Sequence, residues 1–349
     1  MASGDIKGAI NIVVSKETVL APSNDTKTRL SSKHHPKHSQ ALDPPHPTEQ
    51  GNVTFKVTRE NLRKAIYSFH KGSAGGPDGL RPQHLIEMTG EVLGAESEKL
   101  LDSLVAFLNQ MIFTSKVPPG LCFTFFGSNL MALAKPDGGI QPIAMGMSLR
   151  RLGAKCIMLD LNSFRAQEFQ PSQLGVSTPK GAECAVHTLR SYLDMESNKN
   201  KVLLKIDFKN AFNSIQRDVF LPIIHRKLPN IYNYVYQNYG QKSNLFFGDE
   251  IIDSSEGVQQ GDPLGPFLFN LGIMDIVKSM NTQLNLWYLD DGTIAGEMKA
   301  VLECFESILN AKTTHGFEIN PSKCELFMNN LKASQHPLSH EHQHIYDLN

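Results

Sequence analysis

Helical stretches interleaved with short antiparallel hairpins predict an α+β fold, and three observations carry that reading. An apolar run, Leu284 to Leu289, leads into Asp290, Asp291 and Gly292. A second run, Lys201 to Ile206, leads into Asp207. Both read as strands that end in carboxylates. Lys135-Pro136-Asp137-Gly138-Gly139 and Gly248-Asp249 read as hairpin turns. The strand pair that carries Asp207 and the Asp290-Asp291 turn is expected at the centre of an antiparallel sheet.

The elements follow in order. Residues 1–52 read as an unstructured tail, because Ser31 to Gln50 is rich in Ser, His, Pro and Lys and offers little apolar surface against the entropy of ordering. Thr58 caps a helix with Leu62, Ala65, Ile66 and Phe69 on one face. The glycines of Gly72 to Gly79 suit close backbone approach to a ligand. Leu100, Leu101, Leu104, Val105, Leu108, Met111 and Ile112 mark a second helix, which Pro118-Pro119-Gly120 ends. Strand-like sequence runs from Leu121 to Ala134 and returns through Ile140 to Ile143. Helices over 149–164 and 182–192 lead to the Asp207 strand. Pro266 to Met280 is a buried helix with Pro at its first position. An amphipathic helix bears Val301, Leu302, Phe305, Ile308 and Leu309. A turn and strand occupy 316–327, and residues 331–349 read as a frayed tail.

Two adjacent carboxylates repel one another, and a divalent cation removes the conflict. With Asp207 as a third ligand, carboxylates on two neighbouring strands can hold a pair of Mg²⁺ ions that clamp the attacking and leaving oxygens of a phosphoryl transfer. A lone Asp-Asp pair is more often a solvated turn, so the neighbouring motifs decide.

Bulk properties bound the partners. The chain has 349 residues, 40% of them hydrophobic and 20% charged, and a formal net charge of -1. Near-neutral charge argues mildly against a nucleic-acid binder, although Lys135, Arg150, Arg151, Lys155 and Arg165 lie close in sequence. The five cysteines are scattered, without metal-knuckle spacing, and read as reduced thiols of an intracellular protein. The compartment, nucleus or cytoplasm, is left open. No signal peptide or membrane-length apolar run is present, so no membrane partner is expected.

Taken together, the segments Ser73-Ala74-Gly75-Gly76-Pro77-Asp78-Gly79-Leu80, Lys135 to Gly139, Gln141-Pro142-Ile143, Asp207-Phe208-Lys209-Asn210-Ala211-Phe212-Asn213, Gln260-Gly261-Asp262-Pro263-Leu264-Gly265-Pro266, Tyr288-Leu289-Asp290-Asp291 and Gly316 to Lys323 resemble a reverse transcriptase of the non-LTR retrotransposon kind. The resemblance runs over residues 55–328. It implies a right-hand polymerase, with fingers (and part of the palm) in 53–180 and a palm in 181–330. It implies RNA-directed DNA synthesis with two Mg²⁺ ions, or Mn²⁺ in their place, on an RNA template with a DNA primer and dNTPs.

The resemblance also assigns roles. Asp207 and Asp290 bridge the two ions, and the Phe208 carbonyl is an added ligand. Asp291 supports, facing the other way by strand alternation. Phe212 gates against a 2′-hydroxyl, although without the motif it would read as core. Gln260 and Gly261 contact nucleotide sugar or template, and Lys323 lies near the triphosphate or is a plain solvent-exposed lysine. Lys135 and Arg150 are phosphate contacts or, equally, surface charges.

Three departures accompany the match. Gln141 stands where the family has Arg, which removes a bidentate phosphate clamp and about 1.5–3 kcal/mol of charge-assisted hydrogen bonding. Leu289 replaces the usual Ala and is expected to crowd the primer end. The polar stretch after Phe327 suggests a copy truncated before the thumb, without a nuclease. The competing readings are an inactive remnant that keeps the fold and nucleic-acid binding, and an RNA-templated RNA polymerase, which Phe212 argues against.

Overall fold

A computed structural model describes residues 18–34, 36–38, 41–47, 54–195, 197 and 200–328. Along the chain come β1 (Val19–Leu20), α1 (Asn24–Ser31), α2 (Arg59–Tyr67), α3 (Pro82–Met88), α4 (Ala95–Phe107), α5 (Pro119–Phe125), β2 (Ser128–Ala134), β3 (Ile140–Gly146) and α6 (Ser148–Asp160). Then follow α7 (Asn162–Phe169), α8 (Gly181–Asp194), β4 (Val202–Ile206), α9 (Ala211–Ser214), α10 (Arg217–Lys227), α11 (Pro229–Tyr239), β5 (Ser243–Phe247) and β6 (Glu250–Ser254). The last are α12 (Gly265–Ser279), β7 (Leu284–Tyr288), β8 (Asp291–Gly296), α13 (Met298–His315) and β9 (Glu325–Met328). The fold is α+β. It divides into two compact units, Met1–Leu161 with Phe220–Gly265, and Asn162–Val219 with Pro266–Asn349. Both are discontinuous in sequence, unlike the contiguous segments 53–180 and 181–330 expected above.

The first unit holds a sheet in the order β1-β2-β5-β6, with β3 also on β2. The β2–β3 hairpin runs in register from Ser128↔Gly146 to Ala134↔Ile140. Gly248-Asp249 is the expected two-residue turn between β5 and β6, with Gly248 at φ +60°. Leu130, Ala132, Ile140, Ala144, Leu245, Phe247 and Ile252 form the core over this sheet. Thr58 caps α2 as expected, accepting from the Asn61 amide at 3.2 Å.

Several expectations need correction here. Residues within the stretch read as a tail are ordered: Ser23 caps α1, its hydroxyl accepting from the Thr26 amide at 3.1 Å. Leu30 of α1 is fully buried in the sheet core, the apolar anchor that the surrounding polar sequence obscures. The residues 331–349 lie outside those described.

The strand-like run from Leu121 begins instead as α5. Pro119 sits at its first turn, where a missing N–H costs nothing. Only after Gly127, where a Cβ would meet the Asn244 carbonyl at 2.6 Å, does β2 begin. The helix expected over 149–164 is likewise two helices, with Leu161 between them.

Two glycines of the Gly72–Gly79 loop, Gly75 and Gly76, serve packing within the chain. A Cβ on Gly76 would fall 2.5 Å from the Met147 backbone, and one on Gly75 would fall 2.8 Å from the Leu80 carbonyl. Arg151 donates to the Ala74 carbonyl at 2.7 Å and holds the loop down.

A further correction concerns Arg150. Its guanidinium is 1% exposed and donates to Asp262 at 3.0 Å, to the Gln259 side chain at 2.8 Å and to the Phe126 carbonyl at 2.5 Å. Asp262 also accepts from the Tyr239 hydroxyl at 2.6 Å and the Leu264 amide at 3.0 Å. Arg150 is therefore an internal tie and no phosphate contact. It fastens the Gln260-Gly261-Asp262 loop within the first unit.

The second unit holds an antiparallel sheet in the order β7-β8-β4-β9. The central pair is β8–β4, as the sequence predicts, and α13 packs on both strands. Trp287 is buried and covers Gly292, where a Cβ would lie 2.6 Å from the indole. Among the described residues no helix is long and apolar enough to cross a membrane.

Removing one partner of a buried pair strands the other charge. Asp262→Ala is expected to cost about 3–5 kcal/mol of folding stability, read by urea unfolding of the purified chain. A loss below about 1 kcal/mol would show that the pair is not the tie described.

Candidate active site

In the second unit, the pairing of β4 with β8 sets the geometry. Ile206 lies opposite Gly292 and Lys205 opposite Thr293, so the same antiparallel register brings Asp207 to Asp291. Asp291 keeps contact with solvent, yet its carboxyl is raised above the usual carboxylate range. Desolvation by the surrounding chain is the largest cause and the charge of Asp207 the next, with Lys205 and Lys323 opposing both. Lys205 is itself held at high pKa, chiefly by its hydrogen bond to Glu325, with Asp291 and Asp207 adding.

This corrects the expectation that Asp291 faces away. Alternation holds along a strand, but Asp290 lies in the turn between β7 and β8 and breaks the count. Tyr288 pairs with Asp291, so Leu289 and Asp290 form a two-residue hairpin turn. Leu289 sits at φ +58°, a backbone conformation that costs a non-glycine residue about 1–3 kcal/mol. Its side chain packs over Gly175, where a Cβ would lie 2.8 Å from Leu289 Cγ. Leu289 is therefore half-buried within its own unit, which is where its extra bulk is taken up.

Asp207 is fixed by a residue that the sequence reading missed. Asn320 Nδ2 donates to Asp207 Oδ1 at 2.8 Å, and the Asn320 amide donates to the Asp207 carbonyl at 2.8 Å. Ser322 donates to Asn320 Oδ1 at 2.9 Å, which sets the orientation of the amide. The Asp207 amide points to Cys324 Sγ at 3.4 Å. The only available signal was the position of Asn320 inside the Gly316–Lys323 segment.

Phe208 is buried, stacked on Trp287 with ring centres 5.9 Å apart and tilted against Phe317 at 5.1 Å. Phe212 on α9 is half-buried and stacks on Phe269 at 4.7 Å. Lys323 is exposed at the end of a single 3₁₀ turn, Pro321–Lys323.

In the first unit, Gln141 on β3 donates through Nε2 to Gln260 Oε1 at 3.3 Å. The Gln260 carbonyl accepts from the Ala144 amide at 2.7 Å. Gly261 has φ +126°, and a Cβ there would meet the Ala144 carbonyl at 2.3 Å, so the loop needs glycine at this point. Lys135 is exposed at the base of the β2–β3 hairpin.

Among the described residues no set of three or more His, Cys, Asp and Glu side chains is placed to hold a metal ion. The donors at Asp207 and Asp291 are nevertheless hard oxygens carrying like charge, the chemistry that suits Mg²⁺. That ion takes one or two protein carboxylates and completes its shell with water and substrate phosphate.

Hydrogen bonds to charged groups contribute about 1.5–3 kcal/mol. Asn320→Ala is expected to lose stability in that range in urea unfolding. Ser322→Ala, which removes only the outer bond, is expected to lose less than about 1 kcal/mol. Equal losses would separate Asn320 from Asp207.

A family model described as reverse transcriptase (RNA-dependent DNA polymerase) matches residues 133–343, more than half of the chain. The chain is 22% identical over 291 residues to the retrotransposable element SLACS 132 kDa protein of Trypanosoma brucei gambiense, covering 80% of this chain and 24% of that protein. It is 22% identical over 295 residues to the retrovirus-related Pol polyprotein from type-2 retrotransposable element R2DM of Drosophila melanogaster, covering 78% and 26%. The chain thus spans about a quarter of the length of these curated relatives. Apo telomerase from Candida tropicalis is similar with a TM-score of 0.45 and 10% identity, over 59% of this chain and 45% of that one. Telomerase from Candida albicans, in complex with a fragment of telomeric RNA, is similar with a TM-score of 0.45 and 12% identity, over 62% and 44%. The family match takes in Asp207, Gln260, Gly261, Asp290, Asp291 and Lys323 together: the chain belongs to the reverse transcriptase family, among those of non-LTR retrotransposons.

Proposed function

We propose that this chain carries out RNA-directed DNA synthesis by two-metal-ion nucleotidyl transfer, joining dNTPs to a primer 3′-hydroxyl on an RNA template. The observation that carries the reading is the convergence of Asp207 and Asp291 across β4 and β8, with Asp290 in the adjoining turn. Asp207, Asp290 and Asp291, with the Phe208 carbonyl, would hold Mg²⁺ or Mn²⁺. A cation held by these residues would offset their like charges and would supply Lewis acidity to the 3′-hydroxyl and to the leaving pyrophosphate.

The chain's own residues do the rest. Asn320 orients the Asp207 carboxylate. Lys323, exposed and close enough to act on Asp291, is free to meet pyrophosphate oxygen. The Phe212 ring is braced from behind by Phe269 and leaves part of its surface to solvent, which suits a steric gate against a 2′-hydroxyl. Gln260 and Gly261 would contact the nucleotide, and Lys135 a phosphate.

The second reading is a remnant that keeps the fold and nucleic-acid binding without turnover. Gln141 favours it. Its amide carries no charge for a triphosphate, and its N–H is engaged by Gln260.

Mg²⁺-dependent dTTP incorporation on poly(rA)·oligo(dT) separates the two. The wild-type chain is expected to incorporate, and Asp207→Asn and Asp290→Ala to lose about 100-fold or more. No incorporation by a cooperatively folded wild-type chain would leave the remnant.

Phe212→Ala is expected to relax discrimination between dTTP and UTP by roughly 10-fold or more, because the gate is steric. Measured ratios of kcat/KM that do not change would remove the gate.

A further inference from the structure

Ser172 to Gly175 runs beside β7 at the edge of the second sheet. Gln173 and Trp287 form a parallel bridge, the Trp287 amide donates to the Ser172 carbonyl at 2.7 Å, and the Leu174 amide donates to the Trp287 carbonyl at 2.8 Å. The Gln173 side chain is fully buried, and its whole hydrogen-bonding capacity is used. Nε2 donates to the Leu289 carbonyl at 3.0 Å and to Asn270 Oδ1. Oε1 accepts from the Leu289 amide at 2.8 Å and from the Gly175 amide at 2.9 Å. Asn270, fully buried on α12, is held in turn by its own bond to the Pro266 carbonyl at 2.7 Å.

One amide therefore grips the peptide groups on both sides of Leu289. That residue sits at φ +58° with no glycine to ease it, and the second peptide it grips is the one that leads into Asp290. A conformation of this kind persists only where the surroundings over-determine it. A buried amide with two donors and two acceptors satisfied is such a surrounding, since losing any bond leaves a buried polar group unmatched.

We propose that Gln173 is a positioning residue that holds the Leu289–Asp290 turn and so aims the Asp290 and Asp291 carboxylates at the metal site, an inference that rests on the polymerase reading above. Gln173 touches no reacting atom. It acts through the backbone of Leu289.

The test uses the full chain with Gln173→Met, which keeps volume and removes all four bonds, and Gln173→Glu, which keeps the two acceptor bonds and loses donation to the Leu289 carbonyl. Hydrogen exchange of the 284–292 peptide, Mn²⁺ binding followed by electron paramagnetic resonance, and dTTP incorporation are measured at temperatures where each variant is folded. Outer partners of metal-site residues typically change affinity or activity by about 10–100-fold. Gln173→Met is expected to speed exchange at the Leu289 amide, weaken Mn²⁺ binding by about 10-fold and lower kcat by about 10–100-fold, with the KM for dTTP within about twofold. Gln173→Glu is expected to keep the Leu289 amide protected and to fall between. It carries the comparison should Gln173→Met not fold.

A lower melting temperature with unchanged exchange at Leu289 and unchanged Mn²⁺ affinity would make Gln173 a core residue only, and the proposal would be overturned. Should the wild-type chain bind Mn²⁺ but incorporate nothing, the polymerase reading fails, while exchange and Mn²⁺ affinity in the variants still decide the role of Gln173.

Discussion

The antiparallel register between β4 and β8 is the constraint on which the candidate site depends. It sets Asp207 against Asp291, two carboxylates at the ends of neighbouring strands, close enough for each charge to act on the other. A slip of one residue would turn one of them to the other face of the sheet. Packing guards against the slip. Trp287 lies over Gly292 so closely that no other residue fits, and Phe208 fills the space between Trp287 and Phe317. Lys205 and Lys323 lessen the repulsion without cancelling it. The sheet thus holds in place a cluster of negative charge that would relax apart if its residues were free to move, and that is the preparation a hard cation requires.

Motif residues divide into those that face chemistry and those that hold the backbone for them. Asp262 and Gln260 stand two apart in one motif, yet Asp262 is buried against Arg150 while Gln260 keeps solvent contact and meets Gln141. Arg150 was a candidate for phosphate because Arg is the residue that grips phosphate. What decides is burial. A guanidinium that is 1% exposed, with a carboxylate, an amide oxygen and a carbonyl at its Nη atoms, is sealed off from any ligand in solution.

The parts of the fold legible in sequence were those set by local chemistry. The Thr58 cap, the Gly248-Asp249 turn and the two strands that end in carboxylates follow from side chains acting on their own neighbourhood. Periodicity also found α13 and α12. What escaped rests on distant partners. Gln173 and Leu289 are 116 residues apart, and Asn320 and Asp207 are 113 apart. No local pattern marks a polar residue as the partner of a backbone group so far away. The helix α5 escaped because its aromatic residues read as strand formers while Pro119, at its first turn, starts a helix.

Leu289 combines backbone strain, local packing and a distant partner at one position. Read alone, a larger residue beside the acids suggested crowding of a primer. In place, its side chain lies over Gly175, and its backbone is bent into the left-handed region with both flanking peptides held by Gln173. A glycine would adopt that conformation without strain but would leave Gly175 uncovered and lose the contact. The chain accepts local strain at the turn and offsets it with buried hydrogen bonds and packing from a segment far off in sequence. On the polymerase reading proposed above, that arrangement matters because two carboxylates of like charge serve a cation only when their geometry is fixed beforehand.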